Sequence, residues 1–174
     1  MKELEVYTLP ILGLMEGVHE YRFEINADFF KAFEDSKLTE GDILVELILE
    51  KRTSHIELEF KVSGKTRKSC DRCLGDFDLP LSFTEQLLLK YAEVEKEEFE
   101  VVYIRRDRER FDVAQYLYEF IHLAVPMVVT HDMADEDCDP DMMNILEANE
   151  DDQKDLDENS SNSTWSALKD IKLD

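Results

Sequence analysis

The residues best suited to chemistry are Cys70 and Cys73, in the run Cys70-Asp71-Arg72-Cys73-Leu74-Gly75. Two thiolates two residues apart can hold one metal ion from a single tight turn. Gly75 suits a backbone that must bend so that its amides face sulfur. This is half of a tetrahedral zinc site, and the other half has to come from elsewhere. Cys138 is the one remaining cysteine, and His131 stands seven residues before it. A Cys70/Cys73/His131/Cys138 set consists of ligand types that zinc accepts. Two other readings stand beside it. Cys-x-x-Cys also serves thiol–disulfide exchange, although such pairs usually open a helix and this one is set among β-like segments. The plainest reading is two free thiols at a strand end. Three cysteines, an odd count, speak against a disulfide framework and for a reducing compartment, the cytoplasm.

Charge offers a second kind of chemistry. The net charge is -22, which argues against a nucleic-acid binder, but it is unevenly spread. From Lys51 to Gly75 seven Lys and Arg meet three acids, and Lys65, Arg67, Lys68 and Arg72 surround the cysteine turn. Arg105, Arg106, Arg108 and Arg110 form a second group, interrupted by Asp107 and Glu109. Basic residues on an accessible loop are what phosphate contact requires. A solvated strand face has the same composition, and the aromatics nearby, Phe60 and Phe77, are too few for base stacking. His19, His55 and His122 are isolated, no Ser–His–acid set assembles, and the five glycines form no phosphate-cradling loop. An enzyme is therefore not expected, and no small-molecule substrate is evident.

The acids concentrate near the end. From Asp132 to Glu158 there are 13 Asp and Glu against one Lys. Like charges at that density resist compaction, so the folded part is expected to end near Leu146. The chain then divides into one α+β domain over 1–146 and a disordered acidic tail over 147–174. Such a tail solubilises, or docks on a basic protein. Trp165, the one Trp, shares a short helical pattern with Leu168 and Ile171, a face too small for a core of its own. It packs back on the domain or docks on a partner. The start, Met1-Lys2-Glu3, is charged from the second residue, and no apolar run is long enough for a bilayer. Neither a secretory signal nor a membrane association is expected.

Periodicity supplies the elements that must position these residues. Residues 3–9 read as a strand and 18–25 as a second, after which Asn26 caps a short helix carrying Phe29, Phe30 and Phe33. Residues 43–50 and 55–62 alternate as a hairpin, and a third strand runs through Lys65–Ser69 into Cys70. Residues 77–91 continue the sheet and 99–104 add a strand. Residues 112–124 form the long helix, with Asp112 and Gln115 in capping-box positions and Pro126 at its end. Adjacent strands followed by one long helix make an antiparallel α+β fold with a short N-terminal helix, not a βαβ array.

The ordered motifs resemble a known family. Cys70-Asp71-Arg72-Cys73-Leu74 after a hairpin is similar to the Cys-x-Arg-Cys-Leu signature of the YceD-type large-subunit rRNA accumulation family. Asp112-Val113 through Leu123-Ala124-Val125-Pro126 resembles that family's helix and Leu-x-x-Pro segment, and His131 and Cys138 resemble its His-then-Cys pair. Trp165-Ser166-Ala167-Leu168 is similar to the family's Trp-x-x-Leu end, with Asn162-Ser163-Thr164 where Asp-Pro-Arg is usual. The resemblance spans residues 40 to 170. It implies a role in large-subunit rRNA accumulation and ribosome assembly, through pre-ribosomal RNA or a ribosomal protein, with no known catalysis. Lys65, Arg67, Lys68, Arg72, Arg105, Arg106 and Trp165 are the expected contacts, and the four Cys and His ligands the expected zinc site. Some members carry a second Cys-x-x-Cys where this chain has only His131 and Cys138. The competing expectations are a thiol-redox or zinc-dependent enzyme centred on Cys70/Cys73, and an acidic docking module for a basic protein.

Overall fold

The computed structural model describes residues 4–34, 36–98, 100–146 and 148. Among the described residues the chain forms eight strands: β1 (Thr8–Pro10), β2 (Gly17–Ile25), β3 (Gly41–Lys51), β4 (His55–Ser69), β5 (Asp76–Tyr91), β6 (Lys96–Glu98), β7 (Val101–Ile104) and β8 (Arg110–Asp112). Helices α1 (Ala27–Lys31) and α2 (Ala114–Ala124) accompany them. Six strands form one sheet in the order β2-β3-β4-β5-β7-β6, and β1 pairs with β8 in a two-stranded ribbon. The fold is the mixed α+β class read from the sequence, but the large sheet is not purely antiparallel. The chain turns back after β5 through β6, and β7 then slots between them, so Val101–Ile104 runs parallel to Leu88–Tyr91.

Three further expectations are corrected. Lys65–Ser69 is no separate strand, because β4 continues unbroken from His55. Gly64 makes this continuity possible. Its φ is 151°, and a Cβ there would lie 2.2 Å from the Asp42 carbonyl oxygen. At the start, Glu5–Tyr7 is a 3-10 turn, and only Thr8–Pro10 is extended. The capping box of α2 is not made. Asp112 Oδ1 accepts from the Ala114 N–H at 2.9 Å, but Gln115 bonds forward to Glu119 instead of back. The helix is thus eleven residues long, with Val113 at its N-cap. Phe99 lies outside the described residues.

The inner face of the sheet carries Ile43, Val45, Leu47 and Leu49 from β3, then Ile56, Leu58, Phe60 and Val62 from β4, all 2% exposed or less. Each such side chain contributes about 1.5–3 kcal/mol on burial. Helix α1 holds its place because Asn26 Oδ1 accepts from the N–H groups of Asp28 and Phe29. Helix α2 sets Leu117 and Ile121 into the same core, with Phe120 edge-on to Phe60. The outer face of β4, with Glu57, Lys61, Lys65 and Arg67, is open to solvent. After α2, a 3-10 turn (His131–Ala134) returns alongside β5, and residues 140–146 are helical. No helix among the described residues is long and apolar enough to cross a membrane.

Candidate metal centre

The cysteine turn occupies the reversal from β4 to β5. The Cys70 N–H donates to the Gly75 carbonyl at 2.8 Å, and the Leu74 N–H donates to the Cys70 carbonyl at 2.9 Å. Leu74, not Gly75, takes the left-handed conformation, with φ 62°. A Cβ at Gly75 would sit 3.4 Å from His131 Cε1 and 3.5 Å from Cys73 Sγ, ordinary contact distances, so this end of the turn lies directly against the histidine ring. The His131 segment is tied down by Asp71, whose N–H donates to the Val129 carbonyl at 2.8 Å and whose carboxylate accepts from the Val129 N–H at 2.6 Å. Phe77 lies against the His131 ring with centroids 4.8 Å apart.

These contacts gather Cys70, Cys73, His131 and Cys138, with all four ligand atoms within 4.8 Å of one another. Cys70 Sγ and Cys138 Sγ are 3.8 Å apart, Cys73 Sγ and His131 Nδ1 3.4 Å, and Cys138 Sγ and His131 Nδ1 3.8 Å. A tetrahedron with zinc–sulfur near 2.3 Å and zinc–nitrogen near 2.0 Å separates two sulfurs by about 3.8 Å, and sulfur from nitrogen by about 3.5 Å. The donors therefore fit such an ion with little movement. Cys70, Cys73 and His131 are buried, and Cys138 is half-buried.

The electrostatics favour deprotonated sulfur at one position. Burial pushes the Cys70 thiol up, but backbone N–H groups of Cys73, Arg72 and His131 outweigh it and bring the thiol down to about 6. Cys138 is pushed up to about 11, by desolvation and by the neighbouring Cys70 and Cys73. Arg72 braces the cluster from outside. It pairs with Asp132 at 2.9 Å and approaches Cys138 Sγ at 3.9 Å.

The expected RNA or partner contacts among the described residues fall into two groups, one at each end of β4. Lys65 and Arg67 both pair with Asp78, at 2.7 and 3.2 Å. Arg105 pairs with Asp107, and Arg106 lies over the Tyr91 ring and donates to the Thr53 carbonyl. Thr53 precedes β4 and Arg72 follows it. The 15 residues of that strand, at about 3.3 Å each, can separate the two basic groups by up to roughly 45 Å. Lys68 is half-buried beside the turn, and Trp165 lies outside the described residues. The sequence gives Asp71, Phe77 and Asp132 no part in the metal centre. The one available signal was Asp71 inside the Cys-x-x-Cys itself.

No curated protein and no solved structure matches the chain significantly. A family model does, over residues 58–172, from near the start of β4 onward. Its description is large ribosomal RNA subunit accumulation protein YceD. That stretch is more than half of the sequence and contains all four clustered ligands, and the chain belongs to the YceD family.

Proposed function

We propose that this protein is a non-enzymatic factor that supports accumulation of large-subunit rRNA by binding pre-ribosomal RNA or a ribosomal protein in the cytoplasm. The observation that carries this reading is the family match over residues 58–172. Residues 1–146 act as one folded unit in it, with the acidic stretch 147–174 as an appendage. Zinc is bound by Cys70, Cys73, His131 and Cys138, a choice supported by the ligand separations and by three sulfurs with one imidazole. Four protein donors leave no position for water, the pattern of structural zinc. When bound, the ion supplies a cross-link between the β4–β5 turn and the segment after α2.

Lys65, Arg67, Lys68 and Arg72 are the RNA or partner contacts at the metal end, and Arg105 and Arg106 those at the far end of β4. Trp165 is a further contact. The test is the ratio of large- to small-subunit rRNA in cells depleted of the protein. A fall that the wild-type chain restores and the Cys70→Ser/Cys73→Ser chain does not is the expected result. An unchanged ratio overturns the reading.

One geometric observation favours a second reading, a thiol switch. Cys70 Sγ lies 3.8 Å from Cys138 Sγ. Peroxide would take two electrons and two protons from this pair, leaving a disulfide and water. Exposure of the zinc-free chain to peroxide tests it, and retention of both thiols removes it.

A further inference from the structure

The two edges of the large sheet are strands β2 and β6, but β5 also has an open edge. β7 pairs with it only over Leu88–Tyr91. The Leu88 N–H donates to the Glu100 carbonyl, so the backbone groups of Leu88 point to the β7 side. Strand period is two, so Gln86, Thr84 and Ser82 point their N–H and C=O groups the same way. Among the described residues these groups have no protein partner. Pro80 ends the row, placed where its missing N–H faces away from β4.

Beside this edge runs a groove of about 330 Å³ between β5 and the end of α2. Its walls are Leu81, Phe83, Leu123, Pro126 and Met133. Leu123 is 81% exposed and Met133 42%, large apolar side chains left uncovered at one place. Glu85 lines the groove, and the exposed Asp135 and Glu136 follow Met133 in sequence, whereas Asp132 before it is paired with Arg72.

We infer that the open edge of β5 receives an extended, basic segment of a protein partner by strand addition. The main chain of that segment bonds to Ser82, Thr84 and Gln86. Apolar side chains at its alternate positions cover Phe83, Leu123 and Met133, and its lysines or arginines meet the acidic rim. Strand β2 offers an edge too, but the exposed charges of Glu20, Arg22 and Glu24 guard it. The inference goes beyond the rRNA reading and requires no RNA, so the two can fail separately.

The probe is a short peptide of alternating valine and lysine, titrated into the ¹⁵N-labelled full chain, with valine–glutamate as control. Amide signals of Ser82, Thr84 and Gln86 are expected to shift, and their hydrogen exchange to slow at least about tenfold. Leu123→Asp, at an exposed position, and Thr84→Pro, which removes an edge donor, are each expected to weaken binding about tenfold. Shifts confined to residues 132–158 would mean capture by charge alone and overturn the inference. So would edge protection without peptide: concentration-dependent protection would identify a second copy, and concentration-independent protection the chain's own 164–172 segment. Binding unchanged by both substitutions overturns it as well.

Discussion

At the scale of single residues, each side chain around the four ligands does a separate job. Asp71 ties the His131 segment, Phe77 lies against the imidazole, and Arg72 sets a positive charge beside sulfur. Loss of a ligand should therefore differ from loss of a support. Cys73→Ser or His131→Ala is expected to reduce bound zinc from one equivalent to none, read by metal analysis of the purified chain. Asp71→Asn should keep the ion but bind it roughly tenfold more weakly, read by competition with a chelator. Acidity gives a further check on the metal-free chain. The Cys70 thiol sits at about 6 against an ordinary 9.0, so its stabilising effect is complete above about 9 and lost as pH falls to about 6. Cys138, raised to about 11, has the opposite sign and weakens the fold as pH climbs from 9 to 11. In chelator, the melting-temperature advantage of the chain over Cys70→Ser should widen between pH 6 and 9. A constant difference would show that Cys70 does not titrate differently on folding.

At the scale of elements, Gly64 carries the most structural consequence. Its φ is positive, and a Cβ there would lie 2.6 Å from Ile43 Cα as well as against the Asp42 carbonyl, backbone atoms with no flexible side chain to yield. Gly64→Ala is expected to lower unfolding free energy by about 3 kcal/mol, measured by urea denaturation of the full chain. The same residue explains a misreading. Gly in an alternating run resembles a break, so Lys65–Ser69 reads as a new strand, whereas pairing with β3 and β5 carries the chain straight through. Elements with strong periodicity, β2 to β5 and α2, were legible because one face of each is buried. β6 was not, because Lys96, Glu97 and Glu98 are all exposed and show no alternation. The parallel insertion of β7 depends on where a short hairpin docks, which no local pattern encodes. The ligand set was legible from residue types alone, whereas the closeness of His131 depends on Asp71 and Phe77, whose roles exist only once the turn is folded.

At the scale of the whole molecule, charge dominates. The chain carries -22, and its basic residues at the metal end are largely engaged by its own acids, Lys65 and Arg67 by Asp78 and Arg72 by Asp132. These exposed pairs contribute little to stability, so their partners can be exchanged. Asp78→Asn is expected to tighten binding of a large-subunit rRNA fragment severalfold at low salt and to steepen the salt dependence, measured by filter retention. Unchanged binding would remove Lys65 and Arg67 from the interface. Finally, the ligands are far apart along the chain. Cys70 and Cys73 lie between the two longest strands, each formed by near neighbours in sequence, while His131 and Cys138 follow about sixty residues later. Hairpins close fast and distant contacts slowly. During synthesis the sheet from β2 to β5 can therefore form while its thiols still have no third or fourth donor. On the zinc reading proposed above, capture of the ion would be a closing step of maturation, and zinc supply would set how quickly a newly made chain is complete.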